Sequence, residues 1–400
     1  MEVAIARQPI LNMDESIFAY ELLFRPLSEL NDKCDWDKAT ARVVTDSLDM
    51  IGLKDLTRGK KAFINFTEEF FKKEIPTILP QKKVGIEIVE TVQVNERIIQ
   101  ACKNLQERGY TLILDDFSYD SSYLPLLKIA EIVKIDFLNT TPEERSSLLE
   151  KLKGQDIKLL AEKVETRAEF EEAQECGYSY LQGYYFYRPN IVSGQTLPVN
   201  KINQIKLLNE VNSLEPDFAK IEQFLKRDVS MAYSILRIIN SPYYALRSRV
   251  NSIKQAVVLL GLKEFKKWLN LHILRDMGTD KTEILIINSL VRARFCEQCA
   301  FLLNKENRKL DFFTMGLFSL IDSILDRSLT HIIEDLHLPQ DIVDALLSRS
   351  GYGGAIINLI SNYERGKWDN VDYYAGRLNI KNKDIARIYF EAVKGTGIIN

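Results

Sequence analysis

Short apolar runs that end in polar residues recur through the first half of the chain, and their spacing limits the possible folds more than any other feature. One run, 110–114, ends in the adjacent carboxylates Asp115 and Asp116. Further runs end at Asn65, Glu87, Lys134, Glu162 and Gln182. Successive polar positions lie roughly 20 to 28 residues apart, which is the length of a strand, a helix and two loops. Because helical patterns at 96–101 and 168–173 lie between the runs, we expect repeated βα units and a parallel sheet.

Two further strand-like segments, 3–10 and 17–24, precede these units and are joined by a turn at 12–15. They bring the number of strands to about eight, which is enough to close a TIM-like (βα)8 barrel. An amphipathic helix is expected at 36–52. In such a barrel the chemistry lies at the carboxyl ends of the strands, and the polar residues named above fall at that position.

The adjacent carboxylates of Asp115 and Asp116 repel each other, and a divalent cation between them would offset that repulsion. Taken alone, the pair is explained at least as well by a polar turn in which an aspartate caps the next helix. The polar ends of the neighbouring strands favour the cation, because a barrel brings these ends together.

The composition excludes several classes of protein. A length of 400 residues suggests two or three domains. The formal net charge of −3 gives no reason to expect binding to a nucleic acid or to a membrane surface. No apolar run approaches the ~20 residues that span a bilayer, and no signal peptide is visible. The five cysteines are an odd number scattered through the chain, which suits a reducing, cytoplasmic location.

The pattern changes in the middle of the chain. Residues 190–203 contain turn residues and little periodicity, as expected of a linker. Beyond them the periodicity is helical, for example at 231–239 and 342–347. We therefore predict an α/β barrel domain over 1–198 and an all-α domain over 199–400.

Short segments of the first half also form an ordered series of motifs. They are Gln8-Pro9-Ile10, Glu21-Leu22-Leu23-Phe24-Arg25, Ile64-Asn65-Phe66, Glu87-Ile88-Val89-Glu90, Asp115-Asp116, Lys134-Ile135-Asp136, Glu162-Lys163-Val164-Glu165-Thr166 and Gln182-Gly183-Tyr184. The series resembles the EAL domain of bacterial cyclic-di-GMP signalling, with Val89 where the family has Thr and Lys163 where it has Gly. The resemblance covers roughly residues 1–190, and so many motifs in order make it specific.

This resemblance implies a phosphodiesterase that hydrolyses cyclic-di-GMP to linear pGpG with two divalent cations, Mg²⁺ or Mn²⁺. Such ions suit oxygen ligands, and they acidify water and neutralise phosphate oxygens. The resemblance assigns the first cation to Glu21, Asn65, Glu87 and Asp115. It assigns the second to Asp115 with Asp116.

The remaining roles are also implied by the resemblance. Glu162 would bind a cation directly or through the water bound to that cation. Lys134 would hold or deprotonate the attacking water, and Gln182 would orient it. Two side chains would touch the nucleotide, those of Gln8 and Arg25.

The loop after Asp116 departs from the family, and Glu165 is expected to anchor it. Ser118 and Asp120 stand where the family has glycines. Glycine permits positive φ at low cost, so these replacements restrict the loop, and we expect the loop over 117–123 to limit catalysis. In the family this loop helps to organise the second cation and a dimer contact, so a homodimer through this domain is also implied.

The second half carries Leu236–Tyr243, Ser252–Val257 and Leu260-Gly261, which resemble the HDOD domain, a relative of HD-type phosphohydrolases. A metal-dependent HD site needs a histidine followed by aspartate. The three histidines, His272, His331 and His337, are followed by Ile, Ile and Leu. We therefore expect a regulatory half that binds an unidentified protein partner. Cys296 and Cys299 supply only half a zinc site and are expected to be buried helix cysteines.

Three functions stay open at this point. The first is a cyclic-di-GMP phosphodiesterase controlled by its HDOD half, which the complete set of expected metal ligands favours. The second is a protein that binds cyclic-di-GMP without useful turnover and signals through HDOD, which the altered loop favours. The third is an enolase-like barrel, which also combines acids, a lysine and Mg²⁺. The motifs at Glu21–Arg25 and Gln182-Gly183-Tyr184 speak against the third.

Overall fold

The structure, a computed structural model, describes most of the chain. The described residues are 3–27, 52–117, 123–188, 199–213, 215–227, 229–241, 250, 253–277, 283–334, 336 and 338–396. The predicted helix at 36–52 lies outside them apart from Gly52, as do the loop residues 118–122 and the predicted linker up to residue 198.

Eight strands close into a barrel, as predicted. They are β1 (Val3–Asn12), β2 (Ile17–Pro26), β3 (Lys61–Phe66), β4 (Val84–Ile88), β5 (Thr111–Leu114), β6 (Ile132–Asp136), β7 (Lys158–Val164) and β8 (Tyr180–Gly183). The expected parallel pairing holds from β2 to β8, whereas β1 is antiparallel to both of its neighbours. The reversal has a local cause, because the turn closed by Asn12 and Ser16 is too short for the crossover that parallel neighbours need.

Helices connect the parallel strands. They are α1 (Leu53–Thr57), α2 (Glu68–Lys72), α3 (Glu96–Glu107), α4 (Leu124–Leu127), α5 (Pro142–Leu152) and α6 (Arg167–Glu175), with short 3-10 turns at Ile75–Ile78 and Tyr185–Tyr187. The helices predicted at 96–101 and 168–173 are confirmed as parts of α3 and α6. A capping box between Thr166 and Glu169 starts α6 directly after β7. It fixes the direction of the chain just beyond the end of that strand.

One layer of apolar side chains fills the barrel interior. It consists of Ile10, Ala19, Phe63, Ile113, Ile132, Leu160 and Tyr180, with the ring of Phe18 packed against it. Gly85 completes the layer on β4, since a Cβ there would lie 2.8 Å from both Ile113 and Phe63. Because side chains of a strand alternate between the two faces, the residues two positions further along β2 to β8, and two positions earlier on the antiparallel β1, also point inward, one layer higher.

The second half of the chain is helical over its described residues, as predicted. Its helices are α7 (Val199–Asn212), α8 (Phe218–Arg227), α9 (Val229–Ile239), α10 (Ile253–Leu260), α11 (Leu262–Met277), α12 (Glu283–Leu302), α13 (Lys309–Phe318), α14 (Ile321–Leu325), α15 (Leu329–Glu334), α16 (Gln340–Leu347) and α17 (Gly351–Glu364). Helix α7 begins within the predicted linker, so residues 199–203 are helical instead. Cys296 and Cys299 are buried in α12, and the ring of His272 stacks on that of Trp268.

The contacts divide the chain into two compact units, residues 189–358 and residues 1–188 together with 359–400. The barrel unit therefore includes the end of α17 and two further helices, α18 (Trp368–Leu378) and α19 (Asn382–Gly395). The hydroxyl of Tyr184 donates a hydrogen bond to the carbonyl of Glu364 at 3.2 Å. The sequence placed this segment with the helical domain, because a helical pattern does not show what its apolar face packs against. The boundary after residue 198 stays a prediction.

Across the described ranges, no helix is both long enough and apolar enough to cross a bilayer.

Candidate functional site

A ring of polar side chains lies directly above the apolar layer of the barrel, two positions along each strand from the residues that form it. Its members are Gln8, Glu21, Asn65, Glu87, Asp115, Lys134, Glu162 and Gln182. The sequence predicted all eight as site residues, and the shared alternation of the strands brings them to one level. Four of them are buried, with Glu87 and Lys134 fully excluded from solvent and Glu21 and Gln182 nearly so.

Lys134 occupies the middle of this ring. Its ammonium nitrogen lies 2.8 Å from Asp115 Oδ1, 3.4 Å from Glu21 Oε2 and 3.6 Å from Glu162 Oε2, and it also contacts Glu87. Burial by itself lowers the pKa of Lys134, but the surrounding carboxylates, Glu21 first, outweigh it and hold this pKa well above its ordinary value. Among these carboxylates Lys134 is therefore a cation and a hydrogen-bond donor.

Both carboxylate oxygens of Glu21 are held by amide groups. Asn65 Nδ2 donates to Glu21 Oε1 at 2.9 Å, and Gln182 Nε2 donates to Glu21 Oε2 at 2.6 Å. Gln182 Nε2 also lies 3.1 Å from Gln8 Oε1. The next residue, Gly183, explains how Gln182 is placed. A Cβ on Gly183 would lie 2.1 Å from the carbonyl oxygen of Val164 on β7, so only glycine allows β8 to approach this closely.

A second cluster of carboxylates lies on the rim of the ring. Asp115, Asp116 and Glu162 each offer an oxygen, and these three oxygens lie within 4.8 Å of one another. Neighbouring residues of an extended strand point to opposite faces, but Asp116 has a φ of +42°, in the left-handed region. This backbone conformation brings the carboxylate of Asp116 to the same end of the barrel as the carboxylate of Asp115. The sequence predicted the pair, but not the backbone that unites it.

The carboxylates of the site outnumber the cations that balance them. Burial, followed by the charge of Glu21, raises the pKa of Glu87 well above its ordinary value. Burial also raises the pKa of Glu162 to about 8, with Lys134 opposing and Glu21 adding to the shift. Burial and the adjacent Asp115 raise the pKa of Asp116. Such shifts mean that the site takes up either protons or further cations.

The oxygen atoms of the site fit a divalent cation. Asn65 Oδ1 and Glu87 Oε2 are buried and accept no hydrogen bond from any residue that the structure describes. A buried oxygen without a donor is costly, and a bound cation satisfies it. Carboxylate and amide oxygens are the ligands that Mg²⁺ and Mn²⁺ prefer.

Lys163 is a site residue that the sequence reasoning noted only as a replacement of glycine. Its ammonium nitrogen lies 2.6 Å from Asp136 Oδ2, 3.5 Å from Asp116 Oδ1 and 4.0 Å from Glu162 Oε1. Asp136, whose role the motif left open, lies on β6 one inward position beyond Lys134. The signal was present in the sequence, since a lysine that directly follows a site glutamate places a positive charge beside it.

Two predicted site residues have partners away from the ring. The guanidinium of Arg25 donates to both carboxylate oxygens of Asp372 on α18, at 3.0 and 2.5 Å, and to the carbonyl of Trp368 at 3.1 Å. Glu165 accepts a hydrogen bond from Arg188 at 3.0 Å. The nucleotide contact of Arg25 and the loop-anchoring role of Glu165 stay predictions, and the loop itself, 118–122, lies outside the described residues.

Comparison with known proteins gives matches to both halves. A model of the EAL domain matches residues 59–189, and a model of the HDOD domain matches residues 197–325. The chain is 36% identical over 406 residues to the uncharacterized protein YuxH of Bacillus subtilis, covering 98% of each chain. It is 30% identical over 401 residues to the cyclic di-GMP phosphodiesterase CdgJ of Vibrio cholerae, covering 99% of this chain and 93% of CdgJ.

Solved structures of EAL proteins are also similar. A standalone EAL protein of Vibrio cholerae O395, solved with c-di-GMP bound, is 26% identical, and the match covers 46% of this chain and 90% of that one with a TM-score of 0.37.

Proposed function

Because the chain belongs to the family of proteins that join an EAL domain to an HDOD domain, we propose that it is a cyclic-di-GMP phosphodiesterase. The proposed reaction is the hydrolysis of cyclic-di-GMP to linear pGpG with Mg²⁺ or Mn²⁺. The observation that carries the proposal is the ring of buried oxygen ligands with too few cations to balance it. The name of the relative CdgJ as a cyclic di-GMP phosphodiesterase supports it.

The cation is proposed beside Asn65 Oδ1 and Glu87 Oε2, whose hydrogen-bonding capacity is unmet, and beside the carboxylates of Glu21 and Asp115, which other residues of the ring already contact. Glu21, Asn65, Glu87 and Asp115 would hold one Mg²⁺ or Mn²⁺, and Asp115 with Asp116 is the predicted place of another. Bound there, such an ion acidifies water and neutralises the oxygens of a phosphodiester. The amide of Asn65 is already oriented for this task, since its Nδ2 is held by Glu21, which leaves Oδ1 as the ligand.

Lys134 and Gln182 are proposed to place the water that attacks phosphorus. Lys134 lies among the carboxylates of the ring, and it would hold the water by a hydrogen bond or take a proton from it. Gln182 is fixed through its Nε2, and its Oε1 accepts no hydrogen bond from the described residues. That oxygen can accept a hydrogen bond from the water and so set the direction of its lone pair.

The test is to incubate the full chain with cyclic-di-GMP and Mn²⁺ and to follow pGpG by chromatography. Glu87→Gln keeps the shape of a buried ligand but removes its charge, and we expect a loss on the order of 100-fold in turnover. Glu150→Gln is the matched control, because Glu150 lies on the surface of α5 in an exposed pair with Lys153. Folded parent protein that binds cyclic-di-GMP but releases no pGpG would exclude the enzyme.

That outcome would instead establish the second candidate, a cyclic-di-GMP-binding protein that signals without turnover. The position of Lys163 beside Asp116 favours this candidate, because a fixed ammonium group opposes a divalent cation at the same carboxylates. Calorimetry with cyclic-di-GMP separates the two candidates from an enolase-like barrel, for which no heat of binding is expected.

We also propose that the helical half controls the barrel through a protein partner, and that the protein acts in the cytoplasm. Val258 and Leu259 on α10 support a partner, since 73% and 48% of their surfaces are exposed. Val258→Glu with Leu259→Glu should abolish any partner-dependent change in turnover while the basal rate stays the same. Tyr352→Glu is the control at another exposed position of the same unit. The homodimer through the barrel stays a prediction.

A further inference from the structure

Lys163 adopts a backbone conformation that side chains avoid. Its φ is +58°, in the left-handed region where glycine is at ease and a residue with a Cβ is strained. Lys163 lies within β7, between Glu162 and Val164, at the point where the pairing of β7 with β8 is irregular. A strained lysine at this position needs contacts that offset the strain, and the ammonium group makes them.

Asp136 is the anchor of these contacts. It is buried, and its carboxylate accepts hydrogen bonds from the backbone N–H groups of Leu138 at 2.7 Å and Asn139 at 3.0 Å, and from Asn139 Nδ2 at 2.6 Å. Three hydrogen-bond donors hold the carboxylate of Asp136 in one position. The carboxylate therefore fixes the position of the Lys163 ammonium group. The bond of 2.6 Å from Lys163 to Asp136 therefore determines where the positive charge lies.

That charge lies at the carboxylates that would otherwise hold the second cation. Asp116 Oδ1 is 3.5 Å from Lys163 Nζ and Glu162 Oε1 is 4.0 Å away. Both residues belong to the only group of three close carboxylates found among the described residues. A lysine ammonium and a divalent cation at neighbouring positions repel each other, and solvent screens part of this repulsion because the side chains of Lys163 and Asp116 are 37% and 34% exposed.

We propose that the ammonium group of Lys163 replaces the second divalent cation, so that the barrel binds one Mg²⁺ or Mn²⁺ rather than two. The remaining ion is the one proposed at Glu21, Asn65, Glu87 and Asp115, and in this respect the inference rests on the proposed function. Lys134 also contacts these carboxylates and would have to withdraw from them to admit the ion, whereas Lys163 is held in place by Asp136, which is not a proposed ligand. Lys163 is a positioning residue in this scheme, since it balances Asp116 and Glu162 without touching the reacting atoms.

The test is the stoichiometry and spectrum of bound Mn²⁺ in the full chain, without nucleotide. Calorimetry should give one Mn²⁺ per parent chain, with the electron paramagnetic resonance spectrum of an isolated ion. Lys163→Gln removes the charge but keeps a side chain at positive φ, whereas Lys163→Gly removes both. Both variants should bind a second ion with an affinity raised on the order of 10- to 100-fold. Two ions about 3.5–4 Å apart should then show magnetic coupling.

Two further variants test why a second Mn²⁺ ion binds when Lys163 is replaced, and which residues bind it. Lys163→Arg keeps the charge and should stay at one ion. Asp116→Asn added to Lys163→Gly should return the protein to one ion, because it removes a ligand of the second site. A gain in Lys163→Gly but not in Lys163→Gln would mean that backbone strain, and not charge, excludes the ion, and would overturn the inference.

The parent protein alone also decides the matter, whether or not a variant folds. Two coupled ions in the parent would overturn this inference and leave the proposed function intact. No bound Mn²⁺ in the parent or in any folded variant would overturn both. One isolated ion in the parent, joined by a second in the neutral variants, is the result that the geometry predicts.

Discussion

Substituting Asp372 by asparagine should tighten the binding of cyclic-di-GMP, if Arg25 is a nucleotide ligand as the motif implies. In the structure the guanidinium of Arg25 is engaged by both oxygens of Asp372 and by the carbonyl of Trp368. A phosphate that binds Arg25 must compete with this carboxylate, since both ligands need the same fork of N–H donors. Asp372→Asn keeps the shape of the side chain and removes the competing charge.

The size of the effect follows from the exposure of the pair. The side chain of Arg25 is 19% exposed and that of Asp372 is 41% exposed, so solvent screens their attraction. Ion pairs with this exposure contribute about 0.2–1 kcal/mol. At 1.4 kcal/mol for each tenfold change, nucleotide affinity should rise roughly 1.5- to 5-fold. The hydrogen bond from Arg25 to Trp368 remains in the variant, so the upper end of this range is a ceiling.

Calorimetry with cyclic-di-GMP and a chelator measures the affinity without turnover. Asp369→Asn is the matched control, because it makes the same charge change at an exposed position one turn earlier on α18. Arg25→Ala should weaken binding and should abolish the gain from Asp372→Asn when the two are combined. An affinity in Asp372→Asn that equals or falls below that of Asp369→Asn would refute the competition.

Metal removal and strand spacing give two further tests. In the metal-free protein the pKa of Glu162 is raised from 4.5 to about 8, so the folded state binds more protons than the unfolded state between these values, and stability should fall as pH rises through that window. Mn²⁺ should reverse the loss, with a larger rise in Tm at pH 8 than at pH 6; an equal rise would contradict the charge-balance argument. Gly183→Ala should cost about 1–3 kcal/mol in unfolding free energy, because its Cβ would collide with the backbone of Val164. Gly376→Ala, in open space on α18, should not destabilise the protein in the same chemical denaturation.

The ring of polar side chains in the barrel could be predicted from the sequence because it follows from two periodicities. The spacing of the βα units predicted the barrel, and the alternation of strand residues fixes which side chains share a level. Asn65 and Lys134, for example, each follow an inward apolar residue by two positions. The spacing of the βα units and the alternation along a strand are both local properties of the sequence. They could therefore be predicted without knowing which distant parts of the chain are in contact.

Contacts between distant parts of the chain could not be predicted in this way. The partner of Arg25 lies 347 residues further along the chain, and a helical pattern gives α18 an apolar face without showing that the barrel receives it. The left-handed backbone of Asp116 and Lys163 was equally hidden. Aspartate adopts that conformation more readily than most residues and lysine does not, so at Lys163 above all the surrounding structure imposes it.

Two of the departures from the EAL motifs, Lys163 and the loop after Asp116, have a common explanation if Lys163 replaces the second cation. In the family, the loop after the paired aspartates helps to organise that cation, and here Ser118 and Asp120 stand in place of its glycines. A loop that no longer serves a second ion no longer needs the backbone freedom of glycine. Restoring glycine at 118 and 120 would then return the freedom of the loop but not the ion, because the ammonium group of Lys163 would still lie 3.5 Å from Asp116. The charge at residue 163, rather than the loop, would set how many cations the site holds.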